Sequence, residues 1–182
     1  VLADKMRVNA PGVISDLKRS RIRTEMLTGD NEDVASALAE QTGVDSFFAG
    51  LLPEDKVKAV DKLKERFGRV AMVGDGVNDA PALASGGVGI GMGHAGADVA
   101  IETADIALMH DDLSKIDYLV YLSRKTMQVI KQNIAAAILI KGTLTVMAVF
   151  GLINLWVAVG AGDMGLSLAV ILNAMRLTRV RA

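Results

Sequence analysis

Apolar residues are patterned in two ways along this chain, and the change comes near residue 132. Before it, short apolar runs alternate with amphipathic stretches; after it, apolar residues are almost continuous. In the first part, Pro11 suits the opening turn of a short basic helix over 10–20. Residues 22–27 read as a strand that ends at Thr28-Gly29-Asp30-Asn31, and residues 32–42 as a helix stopped by Gly43. A short strand follows at 47–49. Pro53-Glu54-Asp55 opens a helix through Phe67, with Val57, Val60 and Leu63 at helical spacing, and Gly68 ends it. The apolar run 70–73 suits a buried parallel strand. A short helix over 79–85, a strand over 88–92, a helix over 96–103, a strand over 106–109 and a longer helix over 112–132 complete this part. Strands alternating with helices predict an α/β domain with a mostly parallel sheet. Ligands of such sheets sit beyond the carboxyl ends of the strands, and both Asp30 and Asp75 fall in such loops.

The second part predicts two membrane helices with a turn between them. Residues 134–153 are about 20 in number, enough to cross a ~30 Å hydrocarbon core at 1.5 Å per residue. Residues 155–172, extending to 175, form the second candidate, interrupted by Gly160, Gly162 and Gly165. Between 133 and 175 only Lys141 and Asp163 are ionisable. Lys125 and Lys131 precede the pair, Arg176, Arg179 and Arg181 follow it, and the turn at 151–154 is uncharged. This bias places both ends in the cytoplasm and the turn outside. Trp156, beside the turn, suits the interfacial aromatic belt. The predicted organisation is a cytoplasmic domain over 1–123 and a membrane helix pair over 124–182.

Composition sharpens this picture. Hydrophobic residues make up 51% of the 182 residues and the mean hydropathy is +0.35, high for a soluble domain. The net charge of −1 gives no electrostatic footprint for nucleic acid. With no cysteine there is neither a disulfide framework nor a thiolate metal site. His94 and His110 fit no zinc spacing. No signal peptide is expected, since Val1 opens directly into charged sequence. The missing initiator methionine suggests a fragment.

Three segments carry chemistry. Gly74-Asp75-Gly76-Val77-Asn78-Asp79 follows an apolar strand and sets two carboxylates four residues apart. Magnesium takes one or two carboxylate oxygens together with phosphate oxygens and water, and the glycines let the backbone approach a phosphate. Thr28 offers a hydroxyl and a backbone N–H beside Gly29 to hold phosphoryl oxygens. Lys56 can neutralise phosphate charge. Taken singly, an Asp/Gly/Asn loop is an ordinary turn and Lys56 a solvated helix lysine; their order along the chain is what is specific. Gly91-Met92-Gly93-His94-Ala95-Gly96 matches a dinucleotide-binding pattern, but Asp98 and Glu102 behind it would repel a pyrophosphate.

The order Thr28, Lys56, Asp75/Asp79 resembles the haloacid dehalogenase-like phosphotransferases. Met26-Leu27-Thr28-Gly29-Asp30-Asn31, Leu52-Pro53-Glu54-Asp55-Lys56 and Val73-Gly74-Asp75-Gly76-Val77-Asn78-Asp79-Ala80-Pro81-Ala82-Leu83 are similar to one branch, the P-type ATPases. The resemblance covers essentially the whole chain, from the end of the phosphorylation domain through the last two membrane helices. It implies a partial Rossmann-like sheet domain followed by a transmembrane hairpin. It also implies that Thr28 and Gly29 bind the phosphoryl group, Lys56 stabilises its charge, Asp75 coordinates Mg2+, Asp79 and Asn78 complete the loop, and Asp30 shapes the nucleotide side. The family's phosphorylated aspartate, in an Asp-Lys-Thr-Gly-Thr segment, is absent; Asp4-Lys5 is followed by Met6-Arg7. The nucleophile, the nucleotide domain and the other membrane helices would therefore be partners upstream in the same pump, and this chain alone should not hydrolyse ATP.

Lys141 and Asp163 lie about 11 residues either side of the hairpin centre, each ~15 Å from the turn. An unpaired charge at such depth costs roughly 2.5–3.5 kcal/mol, so the two are expected to face each other or a cation site. Pairing for structure alone is the plainer alternative. Asp163-Met164-Gly165 and Leu172-Asn173-Ala174-Met175-Arg176-Leu177 resemble the zinc/cadmium/lead branch of the heavy-metal pumps. Copper pumps typically carry a Met and paired Ser here and a Tyr-Asn in the preceding helix; cobalt-type pumps carry His-Glu-Gly. A carboxylate suits a divalent metal better than Cu(I). The resemblance thus implies ATP, Mg2+ and a transported Zn2+, Cd2+ or Pb2+, in a multi-pass pump of the plasma or inner membrane. A copper exporter, a soluble phosphatase of the same superfamily and a non-catalytic membrane-anchored module are the alternatives.

Overall fold

A computed structural model describes residues 8–75, 79–92, 102–108 and 112–179. It divides into two compact units, Val1–Asp117 and Tyr118–Ala182.

In the first unit, helix α1 spans Ala10–Arg19 with Pro11 in its first turn and Lys18 and Arg19 in its last, where cations oppose the helix dipole. Strand β1 (Glu25–Leu27) leads to α2 (Glu32–Thr42). Asn31 caps α2 by accepting from the Val34 N–H at 3.0 Å, and Gly43 ends it at φ 75°. Strand β2 (Ser46–Phe48) pairs in parallel with β1. Helix α3 (Pro53–Phe67) runs between Pro53 and Gly68 and turns Ala59, Val60 and Leu63 inward. Strands β3 (Ala71–Gly74), β4 (Val88–Met92) and β5 (Ile106–Leu108) form a parallel three-stranded sheet in that order. Helix α4 (Ala80–Ser85) sits between β3 and β4. The core joins Val60, Met72, Ala82 and Leu83, with Leu27, Val57 and Val70 packed on it. The parallel α/β architecture is the one the alternation predicts. Most of the helix expected over 96–103, and His94, His110 and Asn78, lie outside the described residues.

In the second unit, α5 (Ser114–Val149) is one helix of 36 residues. The sequence predicts separate helices over 112–132 and 134–153, but nothing between them breaks the backbone: Lys131-Gln132-Asn133 continues the helix without glycine or proline. Asp112 opens it, accepting from the Ser114 N–H at 3.0 Å, and the Ser114 hydroxyl first and this N–H second hold its carboxyl below the usual range. Gly151 closes it at φ 70°, with Leu152 N–H donating to the Met147 carbonyl at 2.9 Å and Gly151 N–H to Ala148 at 3.1 Å. Beyond the turn come α6 (Leu155–Gly160), a π-helical turn over Ala161–Gly165, α7 (Leu166–Ala174) and a 3-10 turn over Met175–Arg179. Among the described residues α5 is the one helix long and apolar enough to cross a membrane. The second stretch, expected as a single span, is divided by the π turn at its glycine-rich part.

Candidate functional site

The phosphate motifs lie at the carboxyl ends of β1 and β3, strands of two separate sheets. Thr28 directly follows β1. Its N–H donates to the Phe48 carbonyl at 3.0 Å and its carbonyl accepts from Leu51 at 3.0 Å, so the loop is tied to the chain after β2 on both sides. The Thr28 hydroxyl donates to Asp30 Oδ2 at 2.8 Å and accepts from the Asp30 N–H at 3.1 Å. Asp30 therefore orients the hydroxyl that the sequence marks for phosphoryl oxygens. Gly29 lies against the Leu51 carbonyl: a Cβ there would come within 3.3 Å of it.

Lys56 stands in the first turn of α3, held by the helix start at Pro53. Its ammonium donates to Asp79 Oδ1 at 2.6 Å, with both side chains mostly shielded, 16% and 17% exposed. Sequence reasoning gives both residues a role but not this pairing, since 23 positions separate them. Asp79 directly precedes α4, and its backbone carbonyl accepts from Leu83 at 2.8 Å. Gly74 completes the arrangement. A Cβ at 74 would lie 2.9 Å from Asp79 Cβ and 3.0 Å from its Oδ2, so only glycine lets Asp79 turn back toward Lys56. Asp75 lies exposed at the end of β3. No three histidine or acidic side chains among the described residues cluster tightly enough to hold a metal by themselves. The exposed Asp75 carboxylate is of the kind magnesium accepts, its other ligands being phosphate oxygens and water.

The flanking charges are set for ionisation. The Lys58 side chain, 3.0 Å from Asp55, draws that carboxyl below its ordinary range, and Asp55 raises Lys58 in turn. Further from the site, Asp45 accepts from the Thr24 N–H at 2.8 Å and hydroxyl at 3.0 Å and pairs with Lys18 at 3.0 Å. The backbone N–H is the first cause of its lowered pKa.

In the second unit, Lys141 Nζ lies 2.9 Å from Asp163 Oδ1. The pair borders an open groove of about 500 Å³ lined also by Leu144, Thr145, Val159 and Gly162. Asp163 sits in the π turn, which sequence reasoning misses; its only signal is the glycine spacing. A second contact it misses joins the middle of α5 to the end of α7, where Asn173 Nδ2 donates to Asn133 Oδ1 at 2.8 Å.

Residues 1–87 match the haloacid dehalogenase-like hydrolase family. Over 181 residues, 99% of this chain and 25% of the relative, the sequence is 50% identical to a probable cadmium-transporting ATPase of Listeria monocytogenes. It is 47% identical to a zinc/cadmium/lead-transporting P-type ATPase of Shigella sonnei, over 99% of this chain and 24% of the relative. A crystal structure of a zinc-transporting PIB-type ATPase in the E2.Pi state superposes with a TM-score of 0.89 at 46% identity, covering 98% of this chain and 28% of that one. The chain thus spans about a quarter of the length of the curated relatives it matches.

Proposed function

We propose that this chain, which belongs to the heavy-metal P-type ATPases, is the C-terminal part of an ATP-driven pump exporting a divalent metal, Zn2+, Cd2+ or Pb2+. The observation that carries the proposal is the Lys141–Asp163 pair, two charges 2.9 Å apart in a stretch, 133–175, that has no other ionisable residue. In the chain by itself they are 58% and 64% exposed. Charges at such depth in lipid face a partner or a passing ion. Asp163 is the carboxylate ligand for the metal, and Lys141 is a built-in counter-ion that repels the cation once the site opens outward. The second arm crosses as a membrane helix despite its π turn, giving a hairpin with both ends and the α/β domain cytoplasmic.

In the α/β domain the chemistry is positioning and charge stabilisation. Thr28 and Gly29 hold phosphoryl oxygens, with Asp30 orienting the hydroxyl. Lys56, fixed by Asp79, offers its remaining protons to the phosphoryl group. Asp75, with Asp79 and Asn78 in the same loop, holds Mg2+, which when bound neutralises phosphate charge. The aspartate that accepts the ATP phosphate belongs to the upstream part of the pump. Among the described residues β1 pairs only with β2 and β3 only with β4. A strand supplied from upstream between these two edges would end between Thr28 and Asp75.

The test is metal-stimulated ATP hydrolysis and metal uptake by inside-out vesicles carrying the intact pump. Zn2+, Cd2+ or Pb2+ should stimulate both, Asp163→Asn should abolish stimulation, and Lys141→Ala should weaken metal release and coupling. Unchanged stimulation in Asp163→Asn would reject the site. Stimulation by Cu(I) alone would favour the copper exporter instead.

A further inference from the structure

We propose that the Asn133–Asn173 amide pair is a register lock that sets Asp163 opposite Lys141, with the π turn absorbing part of the mismatch between the two arms. This rests on the transported-ion role of Lys141 and Asp163 proposed above. Two polar contacts between these arms, the amide pair and the ion pair, bracket stretches of unequal length. Eight residues separate Asn133 from Lys141, whereas ten separate Asp163 from Asn173. At 1.5 Å per residue these are roughly 12 Å and 15 Å of straight α-helix. Straight α-helices anchored at the amide pair would therefore carry Asp163 past Lys141. The π turn over Ala161–Gly165 contains Asp163 and takes up one of these two extra residues within one turn, leaving about one residue's rise for the long Lys141 side chain to span. Gly162 and Leu144 mark the close approach of the arms at that level: a Cβ on Gly162 would stand 3.2 Å from Leu144 Cδ1.

The amide pair is built as a fixed point. Asn173 donates its amide to Asn133 and accepts at its own oxygen from Arg176 at 3.4 Å, which defines the orientation of the amide. Both asparagines are half-buried, whereas Lys141 and Asp163 are exposed. Apolar contacts between helices in lipid slide easily because lipid tails offer the same surface, so a directional hydrogen bond is what specifies register. Asn133 and Asn173 touch no metal in this scheme; they are positioning residues.

Two measurements test it. In the intact pump, Asn133→Leu and Asn173→Leu should each raise the half-saturating Zn2+ for ATP hydrolysis by roughly three- to tenfold, the effect of one interhelical hydrogen bond. The rate at saturating Zn2+ should change little, and the double variant should be no worse than either single one. Unchanged Zn2+ dependence, or additive losses, would overturn the lock. The second measurement does not need activity. The chain has no cysteine, so Leu144→Cys with Gly162→Cys in the full 182-residue chain in lipid vesicles reports register through disulfide yield. Asn173→Leu should lower that yield, and an equal yield would overturn the lock. If the parent pump shows no Zn2+ stimulation, the transport reading fails, and the disulfide yield alone decides the lock.

Discussion

In the first unit the apolar side chains are the hidden ones; in the second they are the visible ones. Leu83 and Val60 are each 1% exposed. Ile138, Leu139 and Val149 on α5 are 68%, 69% and 78% exposed, and among the described residues from 118 onward Leu166 is the only buried large aliphatic side chain. Polar groups reverse in step: the second unit uses hydrogen bonds and an ion pair between its arms, where the first uses aliphatic packing. Water drives the first arrangement through burial of apolar surface. A solvent of lipid removes that force and leaves packing and hydrogen bonding to join helices. One chain thus follows two sets of rules.

The sharpest way to break the comparison is at the phosphate motifs, which should matter only through the first unit. Asp75→Asn in the intact pump should lower metal-stimulated ATP hydrolysis at least about a hundredfold, as loss of a charge-stabilising group does, with metal binding to the membrane unit retained. Next comes burial itself. Leu83→Ala should cost the first unit about 3 kcal/mol, whereas Ile138→Ala in lipid should fall within about 0.5 kcal/mol; amide hydrogen exchange resolves both regions in one sample. Equal costs would mean that α5 is packed as a soluble core helix. Gly74→Ala should push Asp79 away from Lys56 and slow turnover between roughly ten- and a hundredfold, the scale of a misplaced catalytic group, without touching the membrane arms. The smallest effect is expected at Asp45. Its folded pKa is lowered, so its contribution is complete above the unfolded value near 4 and disappears as pH falls through the folded value. Asp45→Asn should therefore destabilise the first unit by about 1 kcal/mol at neutral pH and by less below about pH 3.5, read from exchange of the β1 and β2 amides.

The two units also differ in how far their sequence discloses them. In the first, each helix is bracketed by residues with one backbone meaning, such as Pro53 and Gly68 around α3 or Asn31 and Gly43 around α2. Element order and parallel sheet follow from that punctuation. The Lys56–Asp79 contact does not, because spacing along the chain says nothing of a pairing made by folding. In the second unit, composition reveals lipid-facing sequence but not where helices start or deform. The unbroken α5 conceals the change from charged to apolar sequence. The π turn has no residue code beyond Gly160, Gly162 and Gly165 near it. Lys141 and Asp163 are legible because charge is rare there; Asn133 and Asn173 are not, because a lone asparagine carries no charge to mark it.

Trp156 is the only tryptophan in the chain. It stands 83% exposed just after the turn, where its backbone N–H donates to Asn154 Oδ1 at 3.0 Å. The molecule therefore carries its own optical label at one known place. Excitation at the red edge of indole absorption isolates this residue from the two tyrosines, and the emission colour then reports the polarity around the turn alone. Quenchers attached at chosen depths along lipid tails turn that colour into a ruler for where the turn sits, with no dye and no substitution.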